Sequence, residues 1–358
     1  MASFQEAPPV QERDAEDWSE PPPPSRASDY AELSRRVKRT GLLDRRPAYY
    51  AAKITLTTVL LAAGWTAFFL LQDSWWQLAT AVFLAFAFTQ VGFLGHDAGH
   101  RQVFRTRRAN GLAGLVFGNL LIGLSYGWWV GKHNRHHSNP NHVDLDPDVT
   151  VGAIAFTAAQ ARAKQGLTRV IVRHQAYLFF PLLLLEAVHL HAASVQAVVR
   201  GTIRSGPLEA LLLLVHGVGY LAAVLLVLSP LRAAVFVLVQ QGLFGLYLGC
   251  CFAPNHKGMP VLEEGEEPDY LRRQVLSSRN VRGGRLVDFA LGGLNYQIEH
   301  HLFPSMPRPS LRHAQPLVRA YCAQRGLAYS ESSVFGSYAE ALRHLHAAGA
   351  PLRSAVTD

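Results

Sequence analysis

Cysteine is scarce in this chain of 358 residues: Cys250, Cys251 and Cys322 stand alone, with no CxxC pair. That excludes a disulfide framework, and nothing points to an oxidising compartment. A secretory signal is missing too. Residues 1–29 are acidic and proline-rich, with Pro21 to Pro24 in a row and no apolar core; they read as a disordered tail. Charge is thin, at 17% of residues, and its basic excess of +8 does not gather into one patch. The basic clusters border apolar runs instead, which excludes a nucleic-acid partner and fits the positive-inside bias of membrane proteins. No internal repeat is evident beyond a pairing of apolar segments.

Those segments are what the chain has in quantity: 49% of its residues are hydrophobic. Four runs come close to the roughly 20 residues that cross a bilayer, at about 50–71, 75–95, 208–228 and 231–253. Gln72, Asp73 and Ser74 alone separate the first pair, and Ser229 and Pro230 the second, so two hairpins are predicted. Arg35, Arg36, Lys38, Arg39, Arg45 and Arg46 precede the first run, and Arg101, Arg105, Arg107 and Arg108 follow the second. The short connections carry almost no positive charge, which predicts both termini and the segments 96–207 and 257–349 on the cytoplasmic side. Trp75 and Trp76 fit an aromatic belt at the outer interface. Residues 109–130, broken by five glycines, and 177–185, too short to span, read as helices lying in or dipping into the interface. Ahead of the spans a short helix is predicted from about Tyr30, with Asp29 and Glu32 at capping-box spacing. Beyond them helices are predicted near 309–325 and 333–347, and 350–358 reads as a C-terminal tail.

Half of the 16 histidines form a pattern. His96 and His100 make HDAGH; His133, His136 and His137 make HNRHH. His300 and His301 close QIEHH, with Gln297 where a third histidine might stand, and His256 lies in NHKG. On a helix, residues three and four apart share a face, so each group is predicted to aim its nitrogens at one locus. Many neutral imidazoles suit iron and other borderline first-row metals better than magnesium or calcium. His96 leaves the second span and His256 the fourth on the same side, so all eight can converge at one face of the bundle. The other histidines have plainer readings. His216, inside a span, reads as a neutral imidazole hydrogen-bonded between helices, and His189 and His191, with Glu186, as interfacial. His142, beside Asp144, Asp146 and Asp148, either supports the site from outside or belongs to a solvated acidic loop.

HDAGH, HNRHH and QIEHH in this order resemble the three histidine boxes of the membrane fatty acid desaturase superfamily. The stretch from Gln297 to Pro304 is similar to the third box of its acyl-lipid and front-end branch, and NHKGMP at 255–260 to an extra motif of bacterial members. The resemblance, over about residues 30–345, implies an all-α integral membrane protein. Its domain (30–349) would have four transmembrane helices in two hairpins, interfacial helices, and a cytoplasmic helical cap holding a dimetal site. It implies two iron ions held by His96, His100, His133, His136, His137, His256, His300 and His301, with Gln297 as a weaker ligand to metal or water. Molecular oxygen would be the oxidant, and the substrate a fatty acyl chain carried on coenzyme A or a lipid. Asp97, Glu299 and Asp146 are candidates to orient imidazole N–H groups. Basic residues in 101–108, 132–135 and 272–285 either bind a phosphate-bearing head group or are ordinary positive-inside charge. Eukaryotic front-end members often carry a fused cytochrome b5 domain marked by HPGG. That motif is not found here, so electrons are expected from a separate ferredoxin, cytochrome or flavoprotein reductase. A lipid or carotenoid hydroxylase or ketolase on the same scaffold is the nearest alternative, and a zinc-dependent membrane hydrolase or receptor a more distant one.

Overall fold

The computed structural model describes residues 28–150 and 152–354, so the stretch read as an N-terminal tail falls almost wholly outside it. The first helix, α1 (Asp29–Arg39), is capped by Ser28, whose Oγ accepts a hydrogen bond from the Ala31 N–H at 3.3 Å. This moves the cap one residue upstream of the predicted Asp29. Asp29 and Glu32 instead pair with Arg325 at 3.3 and 2.6 Å, fastening α1 to the far end of the chain.

Four helices are long and apolar enough to cross a membrane: α2 (Pro47–Leu71), α3 (Gln77–Gly99), α10 (Gly206–Val227) and α11 (Pro230–His256). Proline in the first turn of α2, α10 and α11 explains why each begins where it does, since its missing N–H would be unpaired there anyway. The surprise is at the other end. α3 and α11 do not stop with their apolar runs but continue through HDAG and PNH, so His96 and His256 ride on unbroken helices. On α10, Leu211, Leu214, Val218, Leu221 and Leu225 form one stripe at helical spacing, each at least half exposed. Such a stripe needs lipid rather than water against it.

α2 and α3 pack closely: a Cβ on Gly64 would come within 2.6 Å of Leu84 Cδ2. The second predicted hairpin is built differently. α10 hardly touches α11 and packs instead on a π-helical stretch, Leu115–Leu121. α11 packs along α3 and against the helices α8 (Gln175–Leu183) and α9 (Glu186–Val199), where a Cβ on Gly245 would meet the Ala187 nitrogen at 2.6 Å.

The two ambiguous segments are bent pairs. Residues 107–121, comprising α4 (Arg107–Gly114) and the π-helical stretch, turn through 114° into α5 (Tyr126–Ser138), and α8 meets α9 at 69°. The turn is held by a buried carboxylate the sequence reading passed over. Glu209 Oε2 accepts from Asn119 Nδ2 at 3.0 Å, Ser125 Oγ at 2.6 Å and the Gly127 N–H at 3.2 Å. His191 and His216 lie 2.8 and 2.9 Å from the carbonyls of Gly123 and Leu120 through Nδ1, the interhelical role read for His216. Backbone groups freed by an irregular turn thereby find partners.

The rest forms a cap. It contains α6 (Ala158–Arg162), α7 (Gly166–Arg173), α12 (Tyr270–Leu276), α13 (Arg285–Ala290), α14 (Gln297–Leu302), α15 (Arg308–Gln324) and α16 (Val334–Ala348). The fold is mostly helical but not purely so: β1 (Asn280–Arg282) pairs in parallel with β2 (Glu331–Ser333). Three-residue strands give no usable period-two signal, so the all-α reading missed them. The C-terminal tail reading also needs correcting, because Pro351–Ser354 forms a last helical turn, α17, with Leu352 buried. One apolar core, around Phe68, Phe88, Phe236 and Phe244, lies among the long helices; another, around Leu33, Leu271, Ile298 and Tyr321, lies in the cap. The histidines sit where the two meet.

Candidate metal centre

Four elements deliver the eight histidines: the ends of α3 and α11, the last turns of α5, and α14. At six residues α14 is too short to hold itself together. Ile298 and Leu302, one turn apart and fully buried in the cap core, hold it by about 1.5–3 kcal/mol each. That packing fixes the directions of His300 and His301.

The eight gather into one buried cluster with two centres. The donor atoms of His96, His100, His133 and His300 all lie within 4.8 Å of one another, as do those of His136, His256 and His301. His137 sits between the centres. Its Nε2 is 3.1 Å from His133 Nε2, while its ring stacks on that of His301 at 4.2 Å. The boxes therefore do not each serve one locus, as spacing had predicted. His300 and His301 part company because successive helical residues point about 100° apart, and His133 and His136 divide between the centres even though they share a face.

The chemistry of the second centre fits a cation. His256 Nδ1 is 3.0 Å from the Ser277 carbonyl, which only accepts, so Nδ1 carries the proton. The same holds for His136 Nδ1, 2.9 Å from Asp146 Oδ2, and for His301 Nδ1, 2.9 Å from Gln274 Oε1. Three Nε2 lone pairs then face one another, at 3.3 Å for His136–His256 and 3.1 Å for His256–His301. Lone pairs repel at that range. With metal–nitrogen bonds of about 2.0–2.1 Å, adjacent ligand atoms would stand about 3 Å apart, close to these spacings. In the first centre, His96 Nε2 and both nitrogens of His300 are buried without a hydrogen-bond partner among the described residues. Burial, reinforced by the neighbouring imidazoles, holds His300 and His301 well below the usual histidine range, leaving them neutral donors. Gln297 borders the second centre, its Nε2–H donating to His256 Nε2 at 2.8 Å.

The three carboxylates read as supports diverge. Asp146 is fully buried, touches His136 and also accepts from the backbone of Asn141 and Asp148 at 2.8 and 2.9 Å. Asp97 lies 3.4 Å from His96 Nδ1 but is gripped more closely by Arg308, at 2.6 Å. Glu299 touches no histidine: its oxygens accept from Asn280 Nδ2 at 2.8 Å and the Tyr329 hydroxyl at 2.5 Å. Burial raises its pKa to about 7 against those hydrogen bonds. His142 faces its own loop, 3.2 Å from the Asp144 N–H.

Sequence reasoning missed Gln274, Ser277 and Arg279, all inside the stretch 272–285 offered as head-group charge. Arg279 is completely buried and donates to the carbonyls of Pro254, through Nε at 3.1 Å, and Lys257, through Nη2 at 2.8 Å. It thus closes the end of α11 that carries His256. An arginine among other basic residues gives no sequence signal of such a role.

A cavity of about 260 Å³ adjoins the cluster. Gly92, Ile122, Leu124, Leu248 and Phe252 make its apolar wall, and His96, His133, His136 and His256 border it. Its more exposed lining is polar: Lys132, Asp148, Glu186 and His189. Against the penalty of burial, Lys132 holds the Asp148 carboxyl well below its usual range.

The sequence model of the fatty acid desaturase family matches residues 73–333. This chain belongs to the fatty acid desaturase family. It is similar to the acyl-lipid (9-3)-desaturase of Physcomitrium patens, 31% identical over 90% of this chain and 63% of that protein, so it spans less than two thirds of the moss relative. The Delta(5) fatty acid desaturase of Caenorhabditis elegans is 31% identical over 86% of this chain and 71% of its own length. The Delta(6)-fatty-acid desaturase of the same animal is 30% identical over 88% and 74%. Members of such a family are oxidoreductases of lipid metabolism, and the lipid-facing helices and histidine cluster fit a metal-binding membrane protein.

Proposed function

We propose that this chain introduces a carbon–carbon double bond into a fatty acyl chain, using molecular oxygen and two iron ions bound by the eight histidines. The observation that carries this reading is the pairing of two adjacent, buried sets of imidazoles with an apolar cavity that reaches them. When bound, the metal pair would supply the oxidising power to remove hydrogen from an unactivated methylene, which side chains lack. The protein's own part is positional. Asp146, Gln274 and the Ser277 carbonyl keep three Nε2 atoms aimed inward; Gly92, Ile122, Leu248 and Phe252 exclude water and set which methylene lies nearest the histidines. Lys132 and Lys257, at the polar end, are placed to meet the head group of an acyl-CoA or acyl-lipid. Electrons come from a separate ferredoxin, cytochrome or flavoprotein reductase in this reading.

The test is mass spectrometry of cellular lipids after expression, with metal analysis of the purified protein. Loss of two mass units from an acyl chain, and iron at about two per chain, are the expected results. A gain of sixteen mass units would instead make the enzyme a hydroxylase, and activity supported by zinc alone would overturn the iron assignment.

The proposed topology places both termini and the cluster in the cytoplasm, with α2, α3, α10 and α11 spanning. It is supported by the link between the two short turns, where Asp73 Oδ1 accepts from the Ser229 N–H at 2.9 Å and Oγ at 3.1 Å. His96 and His256 lie at the opposite ends of α3 and α11. Impermeant thiol reagents should label a cysteine at Ser74 only from outside; labelling from the cytoplasm would reverse the orientation.

A further inference from the structure

Apart from the acyl cavity and sharing none of its lining residues, α2, α13 and the start of α15 enclose a second pocket of about 450 Å³. Four cations line it, Lys53, Arg285, Arg308 and Arg312, against one carboxylate, Asp288. Asp288 is itself engaged, accepting from Asn295 Nδ2 at 2.8 Å. Two of the cations are buried to an unusual degree for their type, Lys53 at 9% and Arg308 at 7% exposure. The partners found for Lys53 carry no charge: it donates to Gln90 Oε1 at 2.8 Å and lies 4.5 Å from the centre of the Phe289 ring. Arg308 spends one nitrogen on Asp97 and the Phe93 carbonyl, while its Nε–H is buried without an acceptor among the described residues. Arg308 has its carboxylate, but Lys53 without a charged partner and the orphaned Arg308 Nε–H, beside an open space with Arg312 on its rim, call for an anion.

The position of the pocket says which kind. Tyr49, Ala52, Lys53 and Leu56 line it from one face of the first turns of α2, just past the basic residues Arg45 and Arg46. In a spanning α2 this is the depth of lipid head groups. Two apolar residues on the rim, Leu56 at 47% and Phe289 at 40% exposure, open outward rather than into the protein. A ligand with a charged head and an aliphatic tail satisfies both ends; a small soluble anion leaves the apolar rim unused.

We propose that this pocket binds the phosphate of an anionic phospholipid, with the tails leaving over Leu56 and Phe289. The proposal rests on the reading that α2 crosses the membrane, but not on the reaction performed elsewhere in the molecule. It also ties lipid to the metal centre structurally, because Arg308 grips Asp97, the neighbour of His96.

The metal-loaded protein in neutral detergent would be titrated with dioleoyl phosphatidic acid, dioleoyl phosphatidylcholine and inorganic phosphate, with bound lipid counted by native mass spectrometry. Phosphatidic acid is expected to bind saturably at one per chain. Phosphatidylcholine, whose choline adds a cation, and inorganic phosphate are expected not to displace it at equal concentration. Lys53→Gln and Arg312→Gln should each weaken binding about tenfold, the scale of one charge-assisted hydrogen bond. Arg312 is exposed, so its variant tests binding without threatening folding, and unchanged metal content confirms that. Unaltered phosphatidic acid affinity in both variants would overturn the site, and displacement of the lipid by equal inorganic phosphate would overturn its assignment to lipid. Since binding is read directly, loss of the desaturase reading would leave this result standing, and the reverse.

Discussion

In the centre formed by His136, His256 and His301, each Nδ1 faces an acceptor at 2.9–3.0 Å: the Asp146 carboxylate, the Ser277 carbonyl and the Gln274 amide oxygen. In the centre formed by His96, His100, His133 and His300, His96 alone has such an acceptor among the described residues, at 3.4 Å, and His300 has none for either nitrogen. The same residue type is thus preorganised in one place and left to the metal in the other. Outer hydrogen bonds fix ring orientation and raise ligand basicity, so the second centre should hold its ion more tightly. The first centre depends on helix packing to aim its rings.

The largest effect should come from breaking the better-built centre outright. His256→Ala is expected to abolish desaturation and cut metal content by roughly half, with the protein still inserted in the membrane. His313→Ala, on α15 in the cap and outside the cluster, should stay active. Near-normal activity of the His256 variant would remove it from the ligand set and dissolve the comparison. A finer cut is Asp146→Asn, which keeps the shape of the side chain and removes its charge. It should weaken one metal about 10–100-fold in a chelator titration and leave the other as in the parent. Equal weakening of both would mean that the two centres are one unit. Smallest in its effect on metal is Gly92→Leu. The space around Gly92 accepts a Cβ at 3.6 Å from Leu248 Cδ2 and 3.8 Å from Ile122 Cδ1, so a larger side chain grows into the acyl cavity. Metal content should stay unchanged while the products shift toward shorter acyl chains. An unchanged product profile would separate this cavity from the substrate path.

The sequence by itself determined the inventory of long apolar helices and histidine groups. Apolar runs of spanning length had to become helices facing lipid, because only a helix satisfies its own backbone there. Histidines three and four apart had to share a helical face, so a metal cluster was legible before any fold was known. The helix ends were less legible. Gly99 in HDAG and Pro254 in PNH are helix breakers that would end a helix early, and the continuation of α3 and α11 through both motifs became visible only with their packing. The assignment of histidines to centres was decided by tertiary structure alone. His300 and His301 are adjacent in the chain, yet they serve different centres because Ile298 and Leu302, buried in the cap, set the roll of a six-residue helix. Likewise Gln274, rather than Glu299, partners an imidazole of α14 because it reaches the side on which His301 lies. Periodicity records direction around one helix axis; it carries nothing about what another segment brings to that side.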